Sequence, residues 1–154
     1  NLESLSLAHA KFTDAGAPHL AKLTKLKGLE IGTSKATPQA LKAIAKLPLE
    51  SLQLGEGFES IACIPLIKDI ASLRRLTLTN AQALTDADLL VIAGLTQLDH
   101  LEIGKMPLPD DRIPTLKPYA FLKSMRLVPA KAPFTPEQQA KIQAVLPQTK
   151  IDFK

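Results

Sequence analysis

A six-residue pattern, L-x-x-L-x-L, recurs along the whole chain. It reads Leu2/Leu5/Leu7, Leu26/Leu29/Ile31, Leu49/Leu52/Leu54, Leu73/Leu76/Leu78, Leu98/Leu101/Ile103 and Leu122/Met125/Leu127. The first positions lie 24, 23, 24, 25 and 24 residues apart. A partial seventh copy, Ile151/Phe153, closes the chain. A fixed period of this length means that each unit is one supersecondary element that cannot bury its apolar face alone. Like units must then stack on one another, which is a solenoid.

The unit from Leu26 to Pro48 shows the construction. Leu29 and Ile31 alternate with Gly28, Glu30 and Gly32. That period of two, with one apolar face, predicts a short strand. A polar turn at Thr33-Ser34-Lys35 follows, and Thr37-Pro38-Gln39 predicts a helix start with Thr as N-cap and Pro in the first turn. Leu41, Ile44 and Leu47 keep one helical face apolar, while Gln39, Lys42 and Lys46 face water. The same logic predicts helices opening at Thr13-Asp14, with Leu20 and Leu23 turned inward, at Thr85-Asp86-Ala87-Asp88 and at Thr135-Pro136-Glu137-Gln138. In the third unit Ser60 is the candidate cap, and Pro65 sits early in the helix. The fifth unit departs from the rest. Its 106–118 segment carries Pro107, Pro109, Pro114 and Pro118, which predicts a short or 3₁₀-like piece.

These ladders, with T-D-A-G at Thr13–Gly16 and T-D-A-D at Thr85–Asp88, resemble bacterial leucine-rich repeats of the ribonuclease-inhibitor-like kind. The resemblance covers the entire chain, including the closing strand near Ile151 and Phe153. It implies an α/β leucine-rich repeat solenoid, a right-handed horseshoe of about six repeats plus a terminal strand. A parallel sheet would line the concave side and helices the convex side. It also implies a scaffold that binds protein rather than a chemistry. One departure stands out. Family members often hold Asn or Cys three residues after the ladder, where this chain has Ala10, Ser34, Gly57, Ala81, Met106 and Ala130. That argues against the extracellular subclass with an asparagine ladder.

Length suits one domain over residues 1–154, either a mature form or a fragment lacking its N-terminal cap, since the chain opens on Asn1 directly into a ladder. Aromatic residues are 4% of the chain and Trp is absent, so the core is expected to be aliphatic. The net charge of +4 comes from scattered lysines with only four arginines, which is not the dense basic stripe of a nucleic-acid surface. Cys63 is the single cysteine, so there is no intramolecular disulfide, and its apolar surroundings predict burial. No apolar run approaches the roughly 18 residues of a membrane span. No signal-peptide pattern is visible, and the compartment is left open.

The search for chemistry is short. His9, His19 and His100 lack metal-ligand spacing, and the carboxylates at Asp86, Asp88, Asp110 and Asp111 suit helix starts or a loop. Gly55-Glu56-Gly57 is no phosphate loop, and no G-x-S-x-G, H-E-x-x-H or C-x-x-C motif occurs. No catalytic residue, metal or cofactor is assigned. The residues flanking the ladder leucines point away from the core and fall side by side on the concave sheet. They nominate Glu30, Gln53, Arg75, Thr77, His100, Glu102 and Arg126 as partner-binding residues. The proline-rich 105–118 segment is a second contact candidate, and Phe121 is expected in the core. The function expected is a non-catalytic interaction scaffold. The rival reading is a recognition or regulatory domain of an enzyme whose catalytic part lies outside this chain.

Overall fold

Every ladder becomes a strand. The computed structural model describes residues 1–32, 35–55, 58 and 62–154. The strands are β1 (Ser4–Ser6), β2 (Gly28–Ile31), β3 (Ser51–Leu54), β4 (Arg75–Leu78), β5 (His100–Met106), β6 (Ser124–Pro129) and β7 (Lys150–Phe153). They form one seven-stranded sheet in sequence order, parallel throughout. The register aligns the ladders position for position: Leu5, Leu29, Leu52, Leu76, Leu101, Met125 and Ile151 form one row. Ile31, Leu54, Leu78, Ile103, Leu127 and Phe153 form the next. A one-residue slip would turn every leucine to the wrong face, so the burial pattern itself holds this alignment. The one irregularity is a register shift between Ile103 and Met106.

Five α-helices follow strands: α1 (Ala17–Leu20), α2 (Gln39–Ile44), α3 (Ile64–Ile67), α4 (Asp86–Ala93) and α5 (Pro136–Val145). A 3₁₀ helix, Asp110–Tyr119, follows β5. Each of these segments packs on the next in order, and the ladder residues from Leu26 to Leu127 are buried between them and the sheet, whereas at the first edge Leu2 is exposed and Leu5 and Leu7 are partly buried. The core is almost wholly aliphatic, with Phe58, Tyr119 and Phe134 as its buried aromatic rings and Cys63 buried among the aliphatic residues.

Local chemistry explains the segment starts. Thr85 and Asp88 form a complete capping box: the Asp88 N–H donates to Thr85 Oγ1 at 3.3 Å, and the Thr85 N–H donates to Asp88 Oδ2 at 2.7 Å. Thr135 and Gln138 do the same for α5. In α2 the N-cap position falls on Pro38 rather than on the expected Thr37, whose hydroxyl still accepts from the Gln39 N–H at 3.2 Å. Pro65 lies in the first turn of α3, and Ser60 lies outside the described residues.

Two other expectations need correction. Thr13 makes no side-chain cap. Its segment is a 3₁₀ turn, Asp14–Gly16, leading into a single turn of α1. Asp14 is drawn across to the next unit instead, accepting 2.8 Å bonds from the Thr37 N–H and hydroxyl. Phe121 is not in the core but 37% exposed, because the adjacent Leu122 takes the single inward position at the start of that ladder.

The amino edge of the sheet carries a further regularity. The carbonyl of Glu3 accepts the N–H groups of Lys27 and Gly28, and the carbonyls of Lys27, Glu50, Arg74 and Asp99 accept two successive N–H groups of the following unit in the same way. The side chains at these positions, Glu3, Lys27, Glu50, Arg74, Asp99 and Lys123, alternate in sign. Lys27 pairs with Glu3 at 3.3 Å, and Lys123 pairs with Asp99 at 2.8 Å. The bond from Lys123 holds the Asp99 carboxyl below the usual carboxylate range.

Candidate functional site

The face of the sheet opposite the helices is polar. Alternation along each strand puts two rows of side chains there. One row runs Ser4, Gly28, Ser51, Arg75, His100, Ser124, Lys150; the other runs Ser6, Glu30, Gln53, Thr77, Glu102, Arg126, Asp152. Neighbouring strands are about 4.8 Å apart, so these side chains touch across the register. All seven nominated residues lie on this face, two in the first row and five in the second.

They divide into small groups. Glu30 accepts from the Ser6 hydroxyl at 2.6 Å on one oxygen and from the Gln53 amide at 2.6 Å on the other. His100 Nδ1 lies 2.8 Å from Ser124 Oγ. Arg126 reaches Glu102 at 3.7 Å and Asp152 at 3.2 Å. Arg126 Nε, though close to Asp152, lacks hydrogen-bond geometry and is shielded from water, so this contact is an ion pair held by charge alone. Glu102 thus answers Arg126 rather than Arg75. The register sets Arg75 opposite His100 and one row away from Glu102. The Arg75 side chain is exposed and makes no hydrogen bond or ion pair among the described residues.

The helix-start carboxylates have structural partners. Asp88 completes its capping box. Asp86 receives Arg112 Nε at 2.5 Å, and the same guanidinium donates to the carbonyls of Pro107 at 2.9 Å and Leu84 at 2.6 Å. Asp110 binds Lys141 at 2.6 Å and Gln138 at 3.1 Å, which hold its carboxyl below the usual range and raise Lys141 above its ordinary value. Among the described residues, no group of three or more His, Cys, Asp or Glu side chains is placed to hold a metal ion.

Two cavities lie at the carboxyl ends of the strands. One, about 580 Å³, lies between Met106–Pro109 and Pro129–Phe134, and so beside the proline-rich segment. It is lined mainly by apolar surface. The other, about 420 Å³, is polar and includes Glu30 and Gln53 together with His9, Thr79, Asn80 and Lys105. These last four residues were not nominated from the sequence. The signal that marks them is a glycine at one fixed offset, directly after the last ladder residue, at Gly32, Gly55 and Gly104.

No protein-family model matches the chain, and no curated protein sequence matches it significantly. Among the described residues, no helix is long and apolar enough to cross a membrane.

Proposed function

We propose that this chain is a leucine-rich repeat solenoid acting as a non-catalytic protein-interaction scaffold, with a partner protein seated on the concave face of its sheet. The observation that carries this reading is a sequential, in-register parallel sheet with one face buried under the helical segments and the other bare and polar. In a doubly wound fold the strand order reverses at a switch point and helices cover both faces; here the order runs from β1 to β7 without reversal. The 23–25-residue period equals one step across the sheet, which is the relation a solenoid requires.

The face itself suits recognition of a polar, mixed-charge surface. It presents Arg75, which forms no hydrogen bond or ion pair among the described residues, the Glu30 and Glu102 carboxylates and the His100–Ser124 pair. Arginine is, with Trp and Tyr, one of the residue types enriched where interfaces are anchored. The test combines Arg75→Glu, His100→Ala, Glu102→Lys and Arg126→Glu in one variant used for affinity capture from the native source. The expected result is loss of a partner that the wild-type chain retains, with the melting temperature preserved. Retention of every partner by the variant overturns the reading.

A further inference from the structure

The polar cavity is lined from five consecutive strand ends. Its lining runs from His9, just past β1, to Lys105 of β5, and takes in the strand ends between them. Four strand spacings make that span about 19 Å. A lining that spans five consecutive strand ends suits an extended polypeptide of about six residues, each advancing about 3.3 Å.

The floor is bare backbone where β2 and β3 end. A Cβ on Gly32 would lie 2.8 Å from the Cα of Gly55, so these two segments meet without side chains between them. Among the described residues, the walls carry hydrogen-bonding groups with no other partner: Gln53 gives its amide nitrogen to Glu30 and its carbonyl oxygen to none of them, and Asn80 accepts from the Gln82 N–H at 3.4 Å while its amide nitrogen donates to none of them. An acceptor and a donor one strand apart match the alternating N–H and C=O groups of an extended backbone.

The charges are unequal. Glu30 is already held by two donors, whereas the Lys105 ammonium makes no hydrogen bond or ion pair among the described residues. The two residues other than glycine found at positive φ, His9 at 59° and Lys105 at 54°, stand at the two ends of the trench.

We propose that this trench seats an extended, acidic segment of the partner polypeptide, with an Asp or Glu carboxylate on Lys105 and peptide groups on Gln53 and Asn80. This rests on the concave-face reading and specifies which partner chemistry that face selects.

The test uses the full chain and fluorescein-labelled, end-blocked hexapeptide pools that carry Glu, Gln or Lys at one fixed position, read by fluorescence anisotropy at low ionic strength. The Glu pools should bind about fivefold tighter than the Lys pools at one end position, the effect of a single partly exposed ion pair. Lys105→Glu should invert that order. Lys105→Gly should abolish it while leaving the melting temperature near wild type, since glycine accepts positive φ freely. Equal binding of Glu and Lys pools by the wild-type chain, or a preference that survives Lys105→Gly, overturns the proposal. If the four-residue variant above releases its partner while the pools remain unselective, the trench assignment falls and the concave-face reading stands. If that variant keeps its partner, the concave-face reading falls first.

Discussion

Unit four closes behind its strand with an α-helix, Asp86–Ala93; unit five, 25 residues further on, closes with ten residues of 3₁₀ helix, Asp110–Tyr119. Their strands are nearly interchangeable. Leu76 and Leu101 are fully buried and pair in register, as do Leu78 and Ile103. What differs is how the helical side is tied down. Unit four relies on local chemistry, with Thr85 and Asp88 closing the helix start and Asp86 in its first turn. Unit five cannot, because Pro114 and Pro118 remove backbone donors inside the segment. It is anchored instead by long-range bonds to unit four: Arg112 on Leu84 and Asp86, and the buried Tyr119 hydroxyl donating to the Leu89 carbonyl at 2.6 Å. The strand is therefore the invariant part of a unit. The return segment is free to vary, provided it supplies buried side chains such as Ile113 and Leu116 and a fastening of some kind.

Four measurements press on that contrast. Leu76→Ala and Leu101→Ala should each cost about 2–5 kcal/mol in chemical denaturation, with little difference between them. A much smaller loss at Leu101 would show that the strand of unit five is not equivalent to its neighbour. Arg112→Met should cost about 2 kcal/mol, because it strips charge-assisted bonds from the part-buried Leu84 carbonyl and from the Pro107 carbonyl and Asp86 at the surface. That should exceed the roughly 1 kcal/mol expected for the local cap variant Thr85→Ala; the reverse order would place the fastening of unit five elsewhere.

Tyr119→Phe should cost about 1 kcal/mol by removing the buried hydroxyl's bond to the Leu89 carbonyl. Burial pushes the Tyr119 phenol above its ordinary value of 10.0. The folded state therefore holds that proton more tightly than the unfolded chain does. Stability from this group is complete below pH 10 and is lost as pH rises above it, so denaturation midpoints should fall in alkali for the wild type and less steeply for Tyr119→Phe. Last comes Lys141→Ala. Its pairs with Asp110 and Glu137 are exposed, so thermal melts at neutral pH should barely move. The depressed Asp110 carboxyl makes the sign of any residual effect clear: stability present above its ordinary value of 3.8 is lost as pH falls through the lower folded value.

Strands, their order and the identity of the buried ladder follow from a period of two nested in a period of about 24, because both periods report the same inward face. The irregular fifth unit was legible too, since proline acts on its own backbone whatever surrounds it. Misreadings arose where two neighbouring residues competed. Phe121 and Leu122 are both apolar, and only the stacking of units decides which turns inward. Thr13 looked like a cap until Asp14 found a better donor pair in Thr37, 23 residues away. The polar rows were placed by alternation alone, but their pairing was not. Glu102 lies within reach of residues on both adjacent strands, and the register plus side-chain length favours Arg126. The polar cavity is not legible in the sequence, because its shape comes from the adjacency of Gly32 and Gly55 across strands.

The alternating charges along the amino edge bear on how such an array can change length. Excision of unit three alone would set Lys27 beside Arg74, like against like, whereas excision of units three and four together would set Lys27 beside Asp99 and preserve the alternation. At an exposed edge such a like-charged pair costs at most about 1 kcal/mol, so a version lacking two units should be slightly more stable than a version lacking one.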